Sequence, residues 1–156
     1  MLQIAHQMWR GDEAPYAGRH YQLARPLNSP ASVQQPHPPI LIGGSGEKKT
    51  LRLVARYGDA CSLFDIPGSG FADNIGHKLA VLREHCATEG RDYAEIEKTI
   101  ASTFDFAAGP QAALAHLRDL AKLGIDHVML SSPGPWDDAS LDALISMLPE
   151  IHALEP

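Results

Sequence analysis

The residues best suited to chemistry are Gly43, Gly44, Ser45 and Gly46, which follow the apolar run Pro39-Ile-Leu-Ile. Adjacent glycines let a backbone turn sharply and approach a ligand with no Cβ in the way, and Ser45 offers a hydroxyl or a cap for a following helix. Amides at the positive end of a helix dipole suit an anion such as phosphate. The pattern is neither the GxGxxG of dinucleotide folds nor the GxxxxGK[ST] of nucleotide hydrolases. By its own residues the loop therefore reads either as an anion site or as a plain turn.

Other candidates are sparser. Asp65 and Asp105 fall near strand ends, but neither has a visible partner for general acid–base work. The loop Asp65-Ile-Pro-Gly-Ser-Gly70 can fold over a ligand or merely connect two elements, and Trp136 can wall a site or pack on the last helix. Lys48, Lys49, Arg52 and Arg56 lie at helical spacing, which fits a solvated flank better than an anion site. Cys61 and Cys86 lack CxxC spacing and read as buried thiols. The eight histidines show no HxxxH or HExxH pairing, so no metal site is expected. Nothing resembles a Ser-His-Asp set with a nucleophile elbow. Any redox chemistry must come from a bound cofactor.

These residues need a scaffold, and the pattern supplies one. Residues 1–38 read as a helix end, Leu2 to Trp9 with Ile4, Met8 and Leu2 or Ala5 on one side, followed by a long loop rich in Pro, Gly, Ser and Gln. That helix has no capping residue before it, which suggests that something upstream is absent.

Residues 39–156 read as four strand–helix units. The strands are Pro39–Gly43, Ala60–Phe64, Ile96–Phe106 and His127–Ser131. The helices are expected at 47–57, 75–89, from Pro110 to Gly124, and 140–154. Leu51, Val54 and Ala55 face inward on the first of them, and Leu79, Leu82 and Cys86 on the second. Leu114, Leu117, Leu120 and Ala121 do so on the third. On the last, Leu141, Leu144, Ile145, Leu148 and Ile151 are expected inward, with Pro149 bending or shortening the helix. Gly58, Gly90 and Gly124 end helices. Repeated βα units imply parallel strands with right-handed crossovers, hence a small doubly wound α/β sheet or half of a (β/α)8 barrel. In both, ligands bind at the carboxyl ends of the strands.

The totals set limits. A chain of 156 residues with 44% hydrophobic content buries a core of its own. Thirteen Lys and Arg against 19 Asp and Glu, for a net charge of −6, leave no clustered positive footprint for nucleic acid. No apolar run approaches the roughly 18 residues of a membrane span, and the first ten residues are not a signal pattern. A cytoplasmic protein is expected.

Longer stretches resemble a known family. Tyr16-Ala-Gly-Arg-His-Tyr21, then Gln35-Pro-His-Pro-Pro-Ile-Leu-Ile-Gly-Gly-Ser-Gly46, then Lys49-Thr-Leu-Arg-Leu-Val-Ala-Arg-Tyr-Gly-Asp59 look like luciferase-like monooxygenases, especially the branch dependent on coenzyme F420. Leu82 through Arg91, with Cys86 and Gly90-Arg91-Asp92, continues the likeness. The resemblance implies the C-terminal half of a TIM (β/α)8 barrel, a single partial domain over 1–156 whose four units correspond to strands five to eight. It further implies an oxidoreductase that moves hydride between F420, or alternatively FMN, and a small organic substrate. Ile42, Gly43, Gly44, Ser45 and Gly46 then contact the phosphate end of the cofactor. The first four strands are not in the chain, so the partner expected is a missing N-terminal half or a second copy. The competing expectation is a stand-alone or self-associating α/β module that binds a phosphate ligand without catalysis.

Overall fold

The computed structural model describes residues 1–65, 72–104 and 109–154. Met1–Pro39 and Ile40–Pro156 form two compact units.

In the first unit, helix α1 (Leu2–Trp9) presents its apolar side chains half-buried, and the buried residue is Gln7. Its side-chain amide donates to the Ala14 carbonyl at 2.7 Å, so a polar residue takes the inside position by satisfying the returning chain. Within the stretch read as a long loop, β1 (Tyr16–Ala17) pairs antiparallel with β2 (Gln22–Leu23). Trp9 stacks on His37 with ring centroids 5.2 Å apart, and His6 meets both rings edge-on. Separation in sequence hid this cluster.

The second unit alternates strand and helix. Its strands are β3 (Leu41–Gly43), β4 (Ala60–Asp65), β5 (Glu97–Thr103) and β6 (His127–Ser131), and its helices are α2 (Thr50–Tyr57), α3 (Ala72–Glu89), α4 (Pro110–Lys122) and α5 (Asp138–Ile151). All four strands are parallel, in the order β3-β4-β5-β6. Pro110 stands at the start of α4, where its missing N–H costs nothing, and Asp137 caps α5 by accepting the Ser140 amide at 2.8 Å. Gly58 ends α2 in an extended conformation.

One face of the sheet is sealed by helices. Cys61, Leu63 and Ile100 pack there against Leu51, Val54 and Ala55 of α2, Leu79, Leu82 and Cys86 of α3, and Leu114, Leu117 and Leu120 of α4. Burial pushes both thiols up in pKa, as expected of cysteines in a core. Side chains alternate along a strand, so the other face carries Leu41, Phe64 and Met129. Phe64, Ala101 and Met129 are in register across three strands, and Phe64 is 62% exposed. An apolar row therefore lies uncovered on this side.

Three sequence expectations need correction. Helix α2 begins at Thr50 rather than Glu47, because residues 47–49 form a turn. On α5 the buried residue is Met147, with Leu144 and Ile151 packed beside it, while Leu141, Ile145 and Leu148 are exposed. The helix is apolar around most of its circumference, so periodicity alone could not choose the inward stripe. It runs through Pro149 and stops at Ile151, short of Leu154. Phe106 lies outside the described residues.

At the amino ends of the strands, two aspartates act alike. Asp59, just before β4, accepts the amide of Ile40, just before β3, at 2.7 Å. Asp126, just before β6, accepts the amide of Lys98 in β5 at 2.8 Å and pairs with the Lys98 ammonium at 3.0 Å.

Candidate functional site

The glycine loop leaves the carboxyl end of β3. Ile42 is half-buried, pairs with Cys61 and packs against the core, which fixes where the loop starts. Gly44 has φ +118°, a conformation closed to most side chains, and its amide donates to the Ser62 carbonyl at 2.9 Å. That bond ties the turn to β4. A Cβ on Gly46 would lie 2.9 Å from the Thr50 hydroxyl oxygen, so a side chain there would require that hydroxyl to turn away.

The expectation that Ser45 caps the next helix is corrected. Lys49 occupies the N-cap position, with no side-chain cap, and the Gly46 carbonyl instead accepts the Leu51 amide at 3.0 Å. The Gly44 amide is spent on Ser62. Among the described residues, the amides of Ser45 and Gly46 donate to no carbonyl. These two are the loop's available donors.

Next to the loop, side chains from distant elements meet. A recess of about 10 Å³ is lined by Ser45, Leu63, Phe64, Asn74, Ile75 and Lys78. The Lys78 ammonium donates to Oε1 of Glu47, His77 Nε2 stands 3.3 Å from the same oxygen, and a ring nitrogen of His85 lies 2.8 Å from the Glu47 carbonyl oxygen. Helix α3 therefore grips the turn that follows the glycines. The hydrogen bond from Lys78 holds the Glu47 carboxyl below its ordinary 4.5.

Stability from that pairing is complete above the ordinary value and is lost as pH falls through the depressed folded value. Glu47→Gln is expected to flatten the acid limb of the unfolding midpoint below about pH 4.5, measured by thermal melts at a series of pH values. An unchanged acid limb would show that the pairing does not contribute.

A second cluster lies at the carboxyl end of β4, on the helix-covered face. Asp65 is fully buried, and its Oδ2 accepts the Ser102 hydroxyl at 3.2 Å and a hydrogen bond from His116 Nε2. Its Oδ1 has no partner among the described residues. Phe104 meets the His116 ring edge-on at 5.3 Å. Asp65 thus has the partners that its sequence neighbourhood did not reveal. Serine, histidine and aspartate meet here without forming a nucleophile, because the hydroxyl donates to the carboxylate and not to the imidazole.

Of the remaining candidates, Lys48, Lys49, Arg52 and Arg56 are all exposed, and Arg56 stands 3.8 Å from Glu89. Trp136 is partly exposed. Asp105 and the part of the second loop from Ile66 to Gly70 lie outside the described residues. Among the described residues, no group of three His, Cys, Asp or Glu is placed to hold a metal, and no helix is long and apolar enough to cross a membrane.

Residues 1–144 match the family model for luciferase-like monooxygenases. The chain belongs to the luciferase-like monooxygenase family. It is 26% identical over 126 residues to the F420-dependent glucose-6-phosphate dehydrogenase of Mycobacterium leprae strain Br4923, a match over 80% of this chain and 35% of that relative.

Two solved structures share the fold. An F420-dependent secondary alcohol dehydrogenase, in complex with an F420-acetone adduct, superposes with a TM-score of 0.76 at 12% identity, over 96% of this chain and 59% of the other. The coenzyme F420-dependent tetrahydromethanopterin reductase of Methanopyrus kandleri superposes with 0.73 at 13% identity, over 96% and 61%. This member of the luciferase-like family therefore spans about a third of the length of the curated relative. Its four parallel strand–helix units are the C-terminal half of a TIM (β/α)8 barrel.

Proposed function

We propose that this chain is the phosphate-binding part of an F420-dependent oxidoreductase, with its units in the place of strands five to eight. Hydride would pass between the cofactor and a small organic substrate. Ile42, Gly43, Gly44, Ser45 and Gly46 would hold the phosphate end of F420. The observation that carries this reading is the loop itself: Gly44 is pinned to β4 through Ser62, while the Ser45 and Gly46 amides are left to donate.

The residues fit a phosphate. A Cβ at Gly43 would meet nothing within 4 Å, so the backbone there is open to a ligand, and Ser45 adds a hydroxyl. When bound, the deazaflavin supplies the hydride chemistry. The chain's own part is to bind and orient the phosphate end and to fix the loop against the sheet. F420 is favoured over FMN because the Mycobacterium leprae relative and both structural neighbours carry F420 in their names.

The uncovered row of Phe64, Ala101 and Met129 supports a covering partner, either an N-terminal half or a second copy of this chain. A cytoplasmic location belongs to the same reading. Titrating the purified chain with F420 and with FMN, under light scattering, tests both points. The expected result is tighter binding of F420 and self-association that adding a separately expressed N-terminal half reverses. Preference for FMN would overturn the cofactor choice. A phosphate-binding dimer indifferent to either cofactor would favour the alternative, a self-associating binding module without catalysis.

A further inference from the structure

We infer that Lys78 is the cation of the phosphate site, reaching from α3 into the recess beside Ser45 and holding one oxygen of a phosphate-bearing ligand. The inference rests on the reading of the glycine loop as a phosphate site and adds a residue from a different element.

Four observations carry it. Lys78 and Ser45 line the same recess, so side chains from α3 and from the glycine loop meet at a common space. The recess, at about 10 Å³, has room for a single oxygen-sized group. Its other walls include Leu63, Phe64 and Ile75, and low-dielectric walls strengthen an ion pair made against them.

The fourth observation concerns order. Lys78 is only 16% exposed, and Glu47 holds its ammonium in place. An ammonium has three donors, and Glu47 accepts one of them. A second acceptor can therefore be taken without breaking the first bond. Glu47 itself is fixed by His77 on the same carboxylate oxygen and by His85 on its carbonyl oxygen, so the cation is aimed rather than tethered loosely. Lys48 and Lys49 are closer to the glycines in sequence, but both are exposed and neither lines the recess.

The ligand chemistry named by these groups is a phosphate monoester or diester, from the cofactor or from a phosphorylated substrate. The test uses the whole chain and four variants, Lys78→Met, Lys78→Arg, Gly44→Val and the double Lys78→Met/Gly44→Val. Each is titrated with inorganic phosphate, with F420 and with glucose 6-phosphate by NMR, after its far-UV CD spectrum and melt are matched to wild type. Lys78→Met is expected to weaken inorganic phosphate about tenfold while Lys78→Arg keeps most of the affinity.

If the phosphate belongs to the cofactor, F420 shows the same loss and glucose 6-phosphate shows none. The reverse assigns the recess to a phosphorylated substrate. Loss on Gly44→Val but not on Lys78→Met overturns the lysine and leaves the loop reading intact. Loss on neither overturns both.

Discussion

Gly44→Val is expected to cost about a hundredfold in affinity for F420, read as the ratio of dissociation constants from a titration of the purified chain. The backbone at Gly44 sits at φ +118°, and a Cβ there would stand 3.4 Å from the Thr50 methyl. A β-branched side chain in that conformation costs about 1–3 kcal/mol, which the loop relieves by moving. Movement breaks the bond from the Gly44 amide to Ser62 and displaces the Ser45 and Gly46 amides, which are proposed to hold the phosphate. Each charge-assisted hydrogen bond so lost is worth about 1.5–3 kcal/mol, and tenfold in affinity is about 1.4 kcal/mol. The strands lie outside the change, so the variant keeps its far-UV CD spectrum. Wild-type affinity in a folded Gly44→Val chain would remove the loop from the binding site.

His116→Ala is expected to destabilise the fold by about 3–5 kcal/mol, in urea unfolding followed by CD. Asp65 is sealed from solvent, its Oδ1 has no partner among the described residues, and its Oδ2 depends on His116 and Ser102. Without the imidazole, the buried carboxylate keeps one hydroxyl for support, and an uncompensated buried acid is costly. Ser102→Ala removes the weaker, 3.2 Å bond and should cost about 1 kcal/mol. The order of the two variants is the discriminating outcome. If His116→Ala costs no more than Ser102→Ala, the pair does not hold the end of β4 to α4.

The scaffold was legible in the sequence because its signals are local. Gly58 stops a helix, Pro110 starts one, and the runs at Ile42, Leu63 and Val128 are short and mostly apolar, a pattern that marks parallel strands. The inward faces of α2, α3 and α4 followed from spacing for the same reason. On α5 the spacing was ambiguous, since apolar residues occupy nearly every side, and Met147 took the place expected for Leu141, Ile145 and Leu148.

The glycine loop could be located but not understood in detail. Its helix was expected to begin at Glu47, which would have aimed the first turn's amides at a ligand; the turn at 47–49 separates the two. Lys78 and Glu47 are 31 residues apart, and Asp65 and His116 are 51 apart. Pairings of that range arise only when βα units stack, and no one-dimensional period encodes them.

The twin aspartates at the amino ends of the strands bear on how the chain reaches this fold. The Asp59 bond closes a span of 19 residues around α2, and the Asp126 bond closes one of 28 around α4. Loop-closure entropy rises only slowly with length, so the longer closure costs little more than the shorter. Each latch joins the two strands of one βαβ pair at their amino ends. Asp59 also accepts the Glu97 amide through its carbonyl at 2.9 Å, so this one residue, at the amino end of the sheet, ties the starts of β3, β4 and β5 together.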